Sequence, residues 1–154
     1  SKAHSALLQA QGPTNLDWVL ESAFPGIKYE ELQNAIGQEH INDLFVNTKI
    51  PQYAAAHAAQ QALKPQVASG ALDVASEEYR NMVQQYEHEI MNNPEELQKA
   101  TDSLVVNRHA LANYFKKDFT NEFGLLFKKN GLAKMDKQAF FDGLNNLKKV
   151  YQEM

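Results

Sequence analysis

The amino-acid sequence predicts an all-α protein, an irregular bundle of six to eight helices that ends in a helical hairpin. Apolar side chains recur at helical spacing along most of the chain. Capping residues, prolines and glycines divide these stretches into eight expected helices. No run of about four to eight residues combines strict polar–apolar alternation with β-branched enrichment, as a half-buried strand would.

Four helices are expected before residue 51. The first covers residues 3–11 and stops at Gly12 and Pro13. The second begins at Thr14 or Asn15 and places four apolar side chains on one face: Leu16, Val19, Leu20 and Phe24. The third and fourth cover residues 28–36 and 39–48. Because a residue that precedes proline avoids helical backbone angles, Pro51 predicts a boundary at Ile50.

The fifth helix, residues 52–63, contains six alanines and is expected to end at Lys64 and Pro65. Small side chains allow helices to approach closely, so this helix is either a central one crowded by its neighbours or a seam for a partner helix. We favour the central position. Trp18, the single tryptophan, poses a similar choice between a core anchor and an interface residue, and we favour the core.

Three more helices are expected in the second half. The sixth begins with Ser76 as its cap, and the seventh begins at Asn93 and Pro94, breaks near residues 101–103 and continues to Lys129. Lys128 to Gly131 provide the stop, and Asp136 caps the eighth helix. The predicted core consists of Val83, Tyr86, Leu111, Phe115, Phe119, Phe123, Phe140, Leu144 and Leu147.

Length and composition are those of a small soluble protein. A chain of 154 residues is most simply one domain, residues 1–154, and it is long enough to bury a core. No apolar run approaches the roughly 20 residues that span a membrane, and SKAHSALLQAQ lacks the apolar stretch of a secretory signal. The last helical pattern continues to the end of the sequence, which favours a domain excised from a longer chain. The compartment is left open.

Motifs for catalysis and cofactor binding are missing from the sequence. There is no cysteine, no HExxH and no Glu-x-x-His pair, so we expect no disulfide and no metal site. Residues 128–134 are basic where a calcium loop needs acids. Glycine-rich phosphate loops and a GxSxG elbow are also missing. We therefore expect a non-catalytic protein that uses no cofactor.

Charge is divided unevenly along the chain. Residues 104–154 carry nine Lys and Arg against five Asp and Glu, whereas residues 51–103 carry three against eight. Six lysines form the candidate partner-binding site: Lys116, Lys117, Lys128, Lys129, Lys134 and Lys137. Six glutamates form a candidate acidic surface: Glu77, Glu78, Glu87, Glu89, Glu95 and Glu96. Opposite charges on one small chain indicate either a partner site or mutual neutralisation within the molecule.

The function that we expect is protein–protein interaction without catalysis, as a structural or regulatory part of a larger assembly. Small helical chains without cysteine and rich in Asn and Gln are also typical of exported effectors and secretion-associated domains. The alternative is a nucleic-acid-binding domain that uses the basic hairpin of residues 116–137. Membrane-surface binding by the 104–129 helix is the weaker option, because its aromatic residues are needed to fill a core. The partner and the oligomeric state are not predicted.

Overall fold

A computed structural model of the chain describes residues 13–152, and these residues form seven helices and no strand. The helices are α1 (Pro13–Ala23), α2 (Tyr29–Ile36), α3 (residues 38–68), α4 (Glu77–Met91), α5 (Pro94–Val105), α6 (Arg108–Phe123) and α7 (Lys134–Gln152). The predicted all-α bundle is confirmed. The helix expected over residues 3–11 lies outside the described residues. Within them, no helix is both long enough and apolar enough to cross a bilayer.

Helix α3 joins the two helices that were predicted separately over residues 39–48 and 52–63. It starts with an α-helical turn (Gln38–Ile41), continues as a π-helix (Asn42–Lys49) and ends as an α-helix (Ile50–Ala68). The boundary predicted at Pro51 is wrong, since Ile50 has helical angles (φ −57°, ψ −47°) and its N–H donates to the carbonyl of Phe45, five residues back. Pro51 occupies one of the first two positions of the α-helical section, where a missing N–H is tolerated because the hydrogen-bond spacing changes. Pro65 does not end the helix either, which continues for almost another turn to Ala68.

The core is a cluster of phenylalanine rings around Phe24, which directly follows α1. Its ring centroid lies 5.0 to 6.4 Å from those of five other phenylalanines: Phe45, Phe115, Phe119, Phe127 and Phe140. These rings come from α3, α6, α7 and the segment between α6 and α7. Of the predicted core, Leu111, Phe115, Phe119, Phe140 and Leu144 are buried, and Phe123 and Leu147 are half-buried against the cluster.

The predicted core is wrong for Val83 and Tyr86. Both lie on α4, which contains no fully buried residue. Helix α4 packs against the second half of α3 together with α5, at a distance from the phenylalanine cluster. There α3 contributes buried alanines such as Ala55 and Ala59, so this part of the core contains few large side chains from α3. The larger side chains of α4 therefore keep part of their surface in water.

The end of α5 and both ends of α6 differ from the prediction. The chain breaks at Val106 and Asn107 instead of residues 101–103, and Asn107 caps α6 by accepting a hydrogen bond from the N–H of Ala110 (3.2 Å). Helix α6 ends at Phe123 because Gly124 takes a left-handed conformation (φ 64°). The stop expected at Lys128 to Gly131 is therefore wrong by more than a turn.

Residues 124–133 form an irregular segment that is anchored to the core. Phe127 and Leu132 are buried, and a turn between them is closed by a hydrogen bond from the N–H of Gly131 to the carbonyl of Lys128 (3.0 Å). Gly131 packs directly on Gly26, since a Cβ atom added to Gly131 would lie 2.7 Å from the Gly26 Cα. The two helices of the predicted C-terminal hairpin are present and pack at Phe123 and Gly143, but the connection between them is longer than predicted.

Replacing Phe119 by alanine should lower the free energy of unfolding by roughly 3–5 kcal/mol, because the ring is completely buried and its removal leaves a cavity. Urea denaturation measures the change. Leu126→Ala is the matched control, since this side chain is 67% exposed, and we expect less than about 0.5 kcal/mol there. Similar losses for the two variants would contradict the assigned core.

Candidate interaction surfaces

The six lysines of the candidate partner-binding site lie at three places. Lys116 and Lys117 are on α6, Lys128 and Lys129 are on the exposed turn, and Lys134 and Lys137 are in the first turn of α7. Lys116 and Lys137 are half-buried, and the other four are exposed. Lys137 forms an ion pair within the molecule, in which its Nζ lies 3.7 Å from Glu31 Oε1. The lysines therefore come from three separate segments, and Lys137 differs from the other five in having an ion-pair partner among the described residues.

The six glutamates are divided between the two ends of the α4–α5 hairpin. Glu77 and Glu78 lie in the first turn of α4, which Ser76 caps by accepting a hydrogen bond from the N–H of Tyr79 (3.1 Å). The other four lie where α4 ends and α5 begins: Glu87, Glu89, Glu95 and Glu96. Along α4 the two groups are about 14 to 18 Å apart, at roughly 1.5 Å per residue. The predicted acidic surface is thus two separate clusters.

The acidic and basic groups do not neutralise each other within residues 13–152. No ion pair there joins one of the six glutamates to one of the six lysines. Glu96 pairs instead with a lysine outside this set. It lies 3.7 Å from Lys99 on the same helix, and both side chains are more than half exposed. An exposed ion pair of this kind contributes little to the free energy of unfolding. Apart from Glu96 and Lys137, none of these twelve side chains takes part in an ion pair among the described residues.

Helix α4 has a half-buried apolar row with a desolvated carboxylate beside it. The row contains Tyr79, Met82, Val83, Tyr86 and Ile90. Glu87 is half-buried next to the row, and burial raises the pKa of its carboxyl above the ordinary value. No lysine or arginine pairs with Glu87 in the part of the chain that the structure describes. The ionised form of Glu87 therefore has an unfavourable environment that an external cation would improve.

Trp18 packs against the core and is half-buried. The Arg108 guanidinium lies over its ring, with Cζ 4.7 Å from the centroid, and the His109 ring meets it edge-on at 5.1 Å. These contacts link α1 to the start of α6. An interface role for Trp18 stays a hypothesis.

A buried lysine, which the sequence analysis missed, connects α3 to α6. Lys49 is 9% exposed, and its Nζ lies 3.1 Å from Asp118 Oδ2 and 3.3 Å from Glu122 Oε2. The Tyr53 hydroxyl donates a hydrogen bond to the same Asp118 oxygen. Burial by itself lowers the pKa of Lys49, but the hydrogen bonds and charges of the two carboxylates outweigh it and raise the pKa above the ordinary value. The signal in the sequence is the helical spacing of Ile41, Phe45 and Lys49, which places a lysine in an apolar position.

A groove between α3 and α5 brings together side chains that are distant in sequence. It is lined by His57, Ala58, Gln61, Ala62, Ala100, Ser103 and Asn107. His57 Nδ1 is 3.1 Å from the Tyr114 hydroxyl, and the Tyr114 ring stacks on Tyr53. The alanines of α3 therefore fall into two groups. Ala54, Ala55 and Ala59 are buried, whereas Ala58 and Ala62 line this groove.

A second groove contains a buried histidine near the end of α2. It is lined by residues that include Ile36, His40, Asp43 and Lys148, and Lys148 Nζ donates a hydrogen bond to the Ile36 carbonyl (3.3 Å). Burial lowers the pKa of His40 below its ordinary 6.5, and the charge of Lys148 lowers it further, whereas Asp43 acts in the opposite direction. No group of three or more His, Asp or Glu side chains in the described residues is arranged to hold a metal ion.

Comparisons with known proteins give no relative. No family model, no curated protein and no solved structure matches this chain. The candidate surfaces are therefore interpreted from their own geometry and charge.

Replacing Lys49 by methionine should lower the free energy of unfolding by about 3 kcal/mol, because it leaves two neighbouring carboxylates without their counter-ion. Lys99→Met removes an exposed lysine from a pair with Glu96 and should cost less than about 1 kcal/mol. Urea denaturation at pH 7 compares the two variants. Equal costs would mean that the Lys49 network contributes nothing specific to stability.

Protonation of His40 should destabilise the fold. Because the pKa of His40 is lowered in the folded chain, the unfolded chain binds this proton more readily. The free energy of unfolding should therefore fall as the pH drops from about 6.5 through the folded-state pKa. Unfolding measured at about pH 7.5 and 5.5 should show a smaller loss for His40→Gln than for the natural chain. Asp17 and Glu87 titrate in both chains and cancel in this difference, and an equal loss in both would contradict the prediction.

Proposed function

We propose that this chain is a non-catalytic protein-interaction domain, a structural or regulatory part of a larger assembly, and that α4 provides its main contact face. The observation that carries this proposal is the apolar row of α4, in which no residue is fully buried. A single-domain fold buries such a row when it has the side chains to cover it. Here the neighbouring helix α3 offers alanines, so the row keeps surface that a partner would cover.

The charges beside the row support a partner with basic character. Glutamates lie at both ends of α4, and Glu87 combines partial burial with a raised pKa and the lack of a cationic neighbour in the described residues. A lysine or arginine from a partner would stabilise the ionised form of this carboxylate. Apolar contact in the centre with charged residues at the rim is the usual composition of a protein interface.

Nucleic-acid binding by the 116–137 region is the alternative, and the positions of the aromatic rings weaken it. Phe115 and Phe119 are completely buried, so they offer no surface on which bases stack. The exposed lysines of this region retain the ability to contact phosphates. The test of the proposal must therefore distinguish a protein partner from a nucleic acid.

Site-specific photo-cross-linking tests the proposal. A benzophenone amino acid replaces Gln85, an exposed residue beside the α4 row, or Asn146, an exposed residue of α7 that serves as the matched control. Each variant is irradiated in lysate of the source organism, with and without nuclease treatment. We expect a discrete protein adduct at position 85 that survives nuclease and no such adduct at position 146.

Other results would contradict the proposal. Adducts of equal yield at both positions would indicate nonspecific contact. A captured species that disappears with nuclease would favour the nucleic-acid alternative. Circular dichroism confirms that both variants keep the helical signal of the natural chain.

A further inference from the structure

The basic region contains a surface with both exposed apolar and cationic side chains. We define the basic turn surface as Leu126, Lys128, Lys129, Lys134 and Met135. Leu126 is 67% exposed and Met135 is 80% exposed, although both are large apolar residues. Phe127 and Leu132 lie between these two residues in sequence and are buried, which anchors the segment to the core while Leu126 stays exposed.

The basic turn surface is held in a defined position. The hydrogen bond from Gly131 to Lys128 closes the turn, and the contact of Gly131 with Gly26 fixes it against the chain between α1 and α2. A preformed surface loses little conformational entropy when it binds a partner. None of its three lysines pairs with a carboxylate within residues 13–152.

A surface of opposite charge lies at the turn between α4 and α5. We define the acidic hairpin end as Glu87, Glu89, Met91, Glu95 and Glu96. The short connection at Asn92 and Asn93 brings the last turn of α4 next to the first turn of α5, so these residues lie at one end of the hairpin. Met91 is 41% exposed among them. This surface therefore also combines an apolar side chain with charges of a single sign.

We propose that the basic turn surface of one molecule docks on the acidic hairpin end of a second copy of this chain. The inference rests on the proposed function, since it names a partner for the α4 region. Complementary charge favours this contact, and apolar side chains are exposed on both of its sides. The two surfaces do not pair within one molecule, so both are available to another copy. Because the two surfaces differ, the contact is head-to-tail, and it builds rings or open chains of molecules.

Sedimentation velocity of the purified chain tests the contact. At an ionic strength of about 0.02 M, the weight-average mass should rise with concentration above the 17.4 kDa of one chain. At about 1 M salt, where charges are screened within roughly 3 Å, it should return to that mass. A chain that stays monomeric at every concentration up to about 1 mM would overturn the proposal, since a contact weaker than that holds less than about 4 kcal/mol.

Two charge-neutralised variants make the test specific. One changes Glu89, Glu95 and Glu96 to Gln, and the other changes Lys128, Lys129 and Lys134 to Gln. Each variant alone should be monomeric, because each lacks one of the two surfaces. Their equimolar mixture should form a complex of about twice the 17.4 kDa mass and nothing larger, since only one complementary contact remains. Mixing without complex formation would overturn the proposal.

A control at the opposite end of the hairpin separates local contact from net charge. Glu77→Gln with Glu78→Gln changes two exposed carboxylates about 18 Å away along α4 and should self-associate like the natural chain. Loss of association in this control would contradict the assigned surface. If the purified chain is monomeric while position 85 still cross-links to another protein in lysate, the self-association fails and the proposed function stands.

Discussion

Packing of the Phe24 ring is the constraint on which the rest of the fold depends. The ring follows the last residue of α1 and touches rings from α3, α6, α7 and the irregular segment after α6. Edge-on and tilted arrangements of this kind are the favourable ones for aromatic pairs, and each adds to the energy of burial. The surfaces of the protein follow from this cluster, because Phe127 carries the basic turn and Phe45 belongs to the π-helical part of α3.

Much of the fold could be predicted from the sequence, because its signals are local. The spacing of Phe115, Phe119 and Phe140 places them in the core, and the caps Ser76 and Asn93 mark the starts of α4 and α5. The failures have different causes. Pro51 fits inside α3 because a π-helix precedes it, and no local pattern contains that constraint. Gly124 ends α6 by its left-handed conformation, which is a local glycine signal that the prediction overlooks in favour of Gly131.

Sequence patterns name the candidate residues but do not give their arrangement. Charge counting treats Glu77 and Glu95 as equivalent, yet they lie at opposite ends of the α4–α5 hairpin. Charge counting also treats Lys137 and Lys128 as equivalent, yet of these two only Lys137 forms an ion pair with Glu31. Lys49 was missed because a single lysine in an apolar pattern resembles a solvated residue until its carboxylates are located on α6. Distances across the chain decide which charges are available, and sequence spacing does not contain them.

The contact between Gly26 and Gly131 has a consequence for the variation that this chain can accept. Both residues have positive φ angles, and a side chain at either position would overlap the backbone of the other. The two bends are therefore expected to change together, and neither is expected to change alone. In an aligned set of related sequences, these two glycines would identify members with the same arrangement of the basic turn.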